Sequence, residues 1–185
     1  VYIPEMIGIS LIYAVGGAFI STTVAMVAAY IVAKFDFKFC KIIYVIVIVQ
    51  MIIPIVGSLP SELRIARALG LYDSLFGVLV MKTYVTGMYF LIFYSTFKGI
   101  PRDYSEAAWM DGANNISVLI RIMIPMVKGV FGTIMLLCFI SLWNDYQTPM
   151  IYMPNHPTLA YGLYYYVNGS YNPETSNVPL QLAGC

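Results

Sequence analysis

The chain has 185 residues, of which 60% are hydrophobic and only 10% charged, and its formal net charge is +1. Because a soluble domain carries roughly 25% charged residues, this chain has too few charged side chains to cover the surface of a globule. Its balanced charge also excludes the strongly basic surface expected of a nucleic-acid-binding protein.

Four long apolar runs predict four membrane-spanning helices, at residues 7–33, 42–60, 75–97 and 122–143. The first two contain no charged side chain, the third is interrupted only by Lys82, and the fourth only by Lys128. At about 1.5 Å per residue, each run can cross a hydrocarbon core of about 30 Å. Buried helices of soluble proteins average about 11–12 residues, and membrane β-strands alternate in polarity, so neither alternative fits. The sequence therefore predicts an all-α membrane protein, a polytopic bundle of transmembrane helices.

The connections between these runs differ in their basic residues. Residues 34–41 carry three lysines, residues 61–74 two arginines, and residues 98–121 three basic side chains. Basic residues collect in cytoplasmic loops, so the first and third connections are predicted to face the cytoplasm. The second connection and the external loop predicted at residues 144–182 then face outward.

Lys82 is a charge inside the third apolar run. An intramembrane charge is a functional hypothesis by default, either in a substrate pathway or in a helix pair. Seven residues after Leu75, its side chain can instead extend toward the outer interface. The sequence leaves these interpretations open.

Residues 98–121 predict two short helices that meet at a turn. Pro101 can begin the first helix, with two carboxylates near the positive end of its dipole. Gly112 can end that helix in a left-handed conformation. Asn114 or Asn115 can cap the second helix, which continues into the fourth apolar run.

One side of the first short helix is predicted to be a contact surface. Its members, at three- and four-residue spacing, are Tyr104, Ala107, Ala108 and Asp111. Because alanine side chains are small, the two alanines leave a surface of low relief that another protein can approach closely.

A spaced motif runs through this loop: Glu106-Ala107-Ala108, three residues, Gly112, nine residues, Ile122, one residue, then Ile124-Pro125. It resembles the EAA loop of ABC importer permeases, in which E-A-A, G, I and L-P stand at the same intervals. The departure is Ile124 in place of leucine, a change that conserves volume. Three further segments, Trp143-Asn144-Asp145, residues 158–163 and Leu69-Gly70-Leu71, resemble the carbohydrate permeases related to the maltose-system subunits.

This resemblance covers most of the chain and implies a permease subunit with the ABC importer fold, in the plasma or inner membrane of a prokaryote. Its implied partners are cytoplasmic ABC ATPase subunits, a second permease subunit and an extracytoplasmic solute-binding protein. The implied cargo is a sugar or oligosaccharide, with another solute as the alternative. ATP and Mg²⁺ would bind the partner ATPase, because this chain has no G-x-x-x-x-G-K-[ST] phosphate loop and no cofactor site of its own.

The resemblance also implies roles for the residues of the coupling loop, residues 98–121 together with the motif that follows. Glu106 would be a charge contact to the ATPase, and Ala107 and Ala108 would form the close-packed surface. Gly112 would hold the two short helices at an angle. The remaining coupling residues are Asp111, Ile122 and Pro125.

Four residues at the outer end of the fourth run are candidates for a substrate pathway: Trp143, Asn144, Asp145 and Tyr146. Aromatic faces and amide groups often hold sugars, and a polar pair at a membrane boundary is unusual. The alternative for most aromatic residues of this region is an interfacial belt.

No catalytic or metal-binding constellation is evident. His156 is the single histidine and lies beside prolines in the external loop, so a Ser/His/Asp triad or a histidine metal site is not expected. The three cysteines are widely spaced, which favours packing over disulfide pairing. An ion-driven secondary transporter is a second hypothesis, but the four apolar runs contain no carboxylate. A membrane-embedded enzyme, a third, would need a reactive cluster.

The ends of the sequence predict a fragment of a longer membrane protein. It does not begin with methionine, and it stops at Ala183-Gly184-Cys185 as a polar stretch turns apolar. By resemblance, at least one helix precedes Val1 and another follows near Cys185.

Overall fold

The computed structural model describes residues 3–35, 37–53, 57–83 and 87–169. Predicted features beyond these ranges lie outside the described residues. They include Cys185 and the remainder of the predicted external loop from residue 170.

The described residues form helices joined by short connections. In chain order the α-helices are α1 (Ile3–Leu11), α2 (Gly17–Lys34), α3 (Lys38–Ile52), α4 (Leu59–Ala68), α5 (Leu75–Met81), α6 (Met88–Gly99), α7 (Asp103–Met110), α8 (Asn115–Val118), α9 (Ile124–Trp143), α10 (Gln147–Tyr152) and α11 (Leu159–Gly169). Two π-helical turns complete the set, Ile12–Gly16 between α1 and α2 and Leu119–Met123 between α8 and α9.

Among the described residues, two continuous helices are long and apolar enough to cross a membrane. They cover Pro4–Lys34, with 31 residues, and Asn115–Trp143, with 29 residues. They contain the predicted runs 7–33 and 122–143, and each passes through one of the π turns. That these two runs cross the membrane follows from length and composition.

The second π turn has a cause in the sequence. Pro125 lies two residues after Leu119–Met123, inside the long helix. Proline has no backbone N–H, and its ring crowds the carbonyl group four residues earlier. A π turn adds one residue to the local turn and lets the helix continue past this point.

The predicted second run, residues 42–60, is corrected by the structure. Helix α3 ends at Ile52, and a separate helix, α4, begins at Leu59. Ile53 is extended, with φ −90° and ψ 109°. Because Ile53 precedes a proline, the helical conformation is disfavoured there.

The predicted third run, residues 75–97, is also corrected, because it is two helices rather than one. Helix α5 ends at Met81 and α6 begins only at Met88. Gly87, just before α6, has φ 128°, which a helix does not permit. Thr83, which follows Lys82, is not helical, and threonine and glycine are weaker helix formers than alanine or leucine.

The described residues cluster into two compact units. The first comprises the described parts of Val1–Ala18, Gly57–Thr83 and Cys138–Cys185. Its core contains Tyr13, Ala66, Val78, Tyr152 and Met153.

The second unit comprises the described parts of Phe19–Val56 and Tyr84–Leu137. Its buried side chains include an aromatic set, Tyr30, Phe90, Phe93 and Phe97. Helix α3 of this unit exposes large apolar side chains, among them Ile42, Ile46 and Val49. Such a surface is unfavourable in water and suited to lipid or to another membrane helix.

Candidate functional site

The first short helix of the coupling loop is α7, and it ends in the predicted left-handed turn. Gly112 has φ +82°. Its N–H donates to the carbonyl of Trp109 at 3.0 Å, and the N–H of Ala113 donates to the carbonyl of Ala108 at 2.9 Å. These two bonds form a Schellman motif, which satisfies carbonyl groups that the end of a helix leaves unpaired.

The second short helix of the loop is capped by Asn114, one of the two predicted candidates. Asn114 is extended, and its side-chain oxygen accepts a hydrogen bond from the N–H of Ser117 at 2.7 Å. This is the usual geometry of an asparagine N-cap. The motif residue Ile122 lies in the π turn that follows, and Pro125 is the second residue of α9 beyond it.

The two alanines of the motif do not share one surface, which corrects the predicted contact face. Ala108 is 8% exposed and turns inward together with Ser105. Ala107 and Glu106 are exposed. Adjacent residues on a helix point about 100° apart, so α7 buries residues 105 and 108, three positions apart, and presents Ala107 outward.

The outward surface of α7 is apolar as well as charged. Tyr104 is 51% exposed, Trp109 46% and Met110 88%. Asp111 and Glu106 are exposed beside them. A surface of this composition suits a protein partner, because burial of large side chains and an aromatic ring provides most of the energy of a typical interface.

The angle between α7 and α8 holds an open cavity of about 430 Å³. Its lining includes Asp111, Gly112, Asn114, Ser117 and Arg121. The carboxylate and the guanidinium group allow the cavity to receive a partner side chain of either charge.

The residues predicted to line a substrate pathway make hydrogen bonds and ring contacts within the first compact unit. Asp145 accepts hydrogen bonds on both carboxylate oxygens, from the hydroxyl of Tyr13 at 3.0 Å and from the N–H of Thr148 at 3.0 Å. The amide of Asn144 donates to the carbonyl of Ile140 at 2.8 Å.

The two aromatic candidates also have partners in the same unit. Tyr146 stacks on Tyr164 with 4.4 Å between ring centroids, and Trp143 packs on Phe139 at 5.7 Å. These contacts give all four residues a structural role, and a role in the substrate pathway stays a prediction.

Lys82 has a partner that the sequence did not identify. Its ammonium group lies 3.0 Å from the carboxylate of Glu62 and 4.6 Å from the centroid of the Tyr152 ring. The same carboxylate accepts from the hydroxyl of Tyr152 at 2.6 Å and from Ser58 at 2.7 Å. We call these four residues, Ser58, Glu62, Lys82 and Tyr152, the outer cluster.

Hydrogen bonds within the outer cluster shift two pKa values. Those from Tyr152, Ser58 and Lys82 lower the pKa of Glu62 to about 2. Burial, together with the hydrogen bond to Glu62, raises the pKa of Tyr152. Both shifts favour an ionised Glu62 and a neutral Tyr152.

Charged residues in apolar runs commonly pair with a residue of opposite charge. The sequence could have indicated this pairing, because Glu62 lies in the connection just before the run that contains Lys82. Of the alternatives open for Lys82, the structure supports helix pairing.

Comparison with known proteins identifies relatives that are membrane components of transport systems. A model of the family described as binding-protein-dependent transport system inner membrane component matches residues 21–161. The arabinooligosaccharides transport system permease protein AraQ of Bacillus subtilis is 29% identical over 157 residues, 84% of this chain and 54% of that protein. The diacetylchitobiose uptake system permease protein NgcG of Streptomyces coelicolor is 27% identical, over 76% of this chain and 47% of its own length.

A solved structure is similar over most of the chain. It is the crystal structure of a bacterial ABC transporter involved in the import of the acidic polysaccharide alginate, with TM-score 0.78 and 28% identity. The match covers 95% of this chain and 63% of that one. The chain spans about half the length of the curated relatives that it matches.

Proposed function

The chain belongs to the family of binding-protein-dependent transport system inner membrane components, and we propose that it is the transmembrane permease subunit of an ATP-driven ABC importer. It is a helical membrane protein of a transport family. In the proposed importer, separate cytoplasmic ABC ATPase subunits bind ATP and Mg²⁺ and hydrolyse the nucleotide. A second permease subunit completes the pathway, and an extracytoplasmic solute-binding protein delivers the cargo.

The geometry of the coupling loop is the observation that carries this proposal. Helix α7 presents Glu106, Ala107 and Met110 outward, and the Schellman turn at Gly112 sets the direction of the chain after it. A partner that binds a short helix whose C-terminal turn is fixed can displace that helix as a rigid element. Closure of the ATPase subunits would then favour one of two permease conformations through contacts that differ between them.

The cargo that we propose is a sugar or oligosaccharide. This is supported by the names of relatives that transport arabinooligosaccharides, diacetylchitobiose and trehalose. A relative described as an uptake permease for osmoprotective compounds favours a second candidate, an importer for another small solute.

The proposal is tested with the assembled transporter in sealed proteoliposomes. Uptake of a panel of labelled oligosaccharides is measured with the solute-binding protein outside and either ATP or a non-hydrolysable analogue inside. We expect uptake of at least one sugar with ATP and none with the analogue. Uptake that follows an imposed ion gradient without ATP would instead identify a secondary transporter.

A further inference from the structure

The last residue of α2 is hydrogen-bonded to the start of the coupling loop. The ammonium group of Lys34 donates a hydrogen bond to the carbonyl of Ile100 at 2.7 Å. Ile100 is the C-cap of α6 and is extended, with φ −78° and ψ 124°. It precedes Pro101, which disfavours a helical conformation at this position.

The Ile100 carbonyl is suited to a cation. The last carbonyl groups of a helix lack partners within that helix and carry the negative end of its dipole. An ammonium group placed there makes a charge-assisted hydrogen bond, which is shorter and stronger than a neutral one. Lys34, which is 66 residues away in sequence, therefore fixes the point at which α6 ends and the loop begins.

Apolar packing brings the same two segments together. Tyr30, one turn before Lys34, lies edge-on to Phe97 with 5.5 Å between ring centroids. Both rings are almost fully buried. Apolar contacts are not directional and permit small sliding movements, whereas the Lys34 hydrogen bond fixes the position of α2 along the loop.

The end of α2 and α7 also border the same cavity. A small cavity of about 70 Å³ lies beside Tyr30 and Lys34, and its other walls include Ser105, Glu106 and Trp109. The end of α2 and the helix that carries the motif therefore enclose a common space.

We propose that Lys34 is a positioning residue that passes movement of the coupling loop to the first membrane-spanning helix. The inference rests on the proposed function, since the movement would come from a partner ATPase. Without the lysine, the ATPase still docks on α7 and hydrolyses ATP, but less of that movement reaches α2.

The test uses four variants of the assembled transporter in proteoliposomes. Lys34→Met removes the donor, Lys34→Gln keeps a neutral donor, and Lys34→Arg keeps a charged one. Lys38→Met is the matched control, because Lys38 is exposed at the start of α3 and loses the same charge. The measurements are the amount of ATPase subunit that co-purifies, the rate of ATP hydrolysis, and the solute taken up per ATP hydrolysed.

We expect Lys34→Met to keep the ATPase subunit and to lose about tenfold in solute per ATP, equivalent to about 1.4 kcal/mol for one charge-assisted hydrogen bond. Lys34→Arg should restore the ratio, Lys34→Gln should lie between, and Lys38→Met should match the unmodified protein. A normal ratio in Lys34→Met would overturn the proposal. So would equal loss of assembly in Lys34→Met and Lys34→Arg, because that outcome indicates a folding role.

Hydrogen exchange separates this inference from the proposed function. In the permease without its ATPase, Lys34→Met should increase amide exchange in residues 100–111 relative to Lys38→Met. Unchanged exchange would contradict the Lys34 link even if the transporter imports sugar with ATP. Absence of ATP-driven uptake in the unmodified protein, with increased exchange in Lys34→Met, would contradict the proposed function and leave the contact between α2 and the loop supported.

Discussion

The outer cluster should make Glu62 a larger contributor to stability than a surface carboxylate of this kind normally is. One carboxylate receives three donors, Tyr152, Ser58 and Lys82, at 2.6, 2.7 and 3.0 Å. The change we consider is Glu62→Gln, which keeps the shape of the side chain but removes its charge. One carboxylate oxygen of Glu62, which accepts hydrogen bonds, is replaced by the amide nitrogen of glutamine, which cannot accept them.

The free energy of unfolding lost in Glu62→Gln depends on how exposed the interacting side chains are. A buried hydrogen bond to a charged group contributes about 1.5–3 kcal/mol, and an exposed ion pair about 0.2–1 kcal/mol. The Glu62 side chain is 36% exposed and that of Lys82 is 19% exposed. Solvent screening therefore places the loss for Glu62→Gln at about 1–2 kcal/mol. For a chain of this size that corresponds to a fall in Tm of about 2–8 °C.

The effect should depend on pH in a defined direction. The pKa of Glu62 lies at about 2 in the folded protein, against an ordinary value of 4.5. A carboxyl group with a lowered pKa stabilises the folded state fully above its ordinary pKa, and this contribution is lost as the pH falls toward the folded value. The difference in Tm between the unmodified protein and Glu62→Gln should be constant above about pH 5 and should narrow as the pH falls toward 2.

The assay is thermal unfolding of the purified protein in detergent, followed by tryptophan fluorescence. A double-mutant cycle with Lys82→Met separates the ion pair from the two hydroxyl bonds, since the three partners share one carboxylate. Tyr152→Phe tests the shortest bond alone. An unchanged Tm for Glu62→Gln at pH 7, with no difference between the two pH profiles, would show that the Glu62 carboxylate does not stabilise the folded protein.

Two other predictions concern the turn and the outer end of α9. Gly112→Ala should reduce both the solute taken up per ATP and the stability of the protein. The cause is the backbone, since φ +82° costs an L-residue about 1–2 kcal/mol, whereas the added Cβ meets no atom within 4 Å. Gly112→Asn should have a milder effect, and an uptake ratio and Tm in Gly112→Ala equal to those of the unmodified protein would contradict this prediction. Tyr13→Phe should lower Tm through loss of about 1 kcal/mol, because the nearly buried Tyr13 donates to Asp145. Tyr165→Phe, at a side chain that is 69% exposed, should leave Tm unchanged.

Features set by neighbouring residues were predictable from sequence. The left-handed Gly112 and the Asn114 cap depend on which residues tolerate a given backbone conformation or pair with the free N–H groups at a helix start. Both are found where the sequence places them. The two long helices were also predictable, because length and hydropathy are properties of the run itself.

Features set by distant contacts were not predictable in the same way. Periodicity puts Ala107 and Ala108 on neighbouring faces of α7, but tertiary packing decides which one turns inward. The outer cluster joins Glu62 to Tyr152 across 90 positions, a separation that no local pattern reports. Gly87 could have indicated the break within residues 75–97. The apolar run did not indicate it, because the hydropathy of a segment does not show whether its helix is continuous.

Cross-linking from Met110 tests whether an ATPase docks on α7. Met110 is 88% exposed on that helix, whereas Cys40 and Cys138 are each 6% exposed and should react little. Met110→Cys and, as a control on the predicted outer side, Ile65→Cys would each be made together with Cys185→Ser. A short thiol-to-amine cross-linker is then applied to membranes that contain the assembled transporter.

If the ATPase docks on α7, a covalent product should form between the ATPase subunit and Met110→Cys, and none with Ile65→Cys. Absence of the product at Met110→Cys, or its formation at Ile65→Cys instead, would show that the ATPase does not dock on α7.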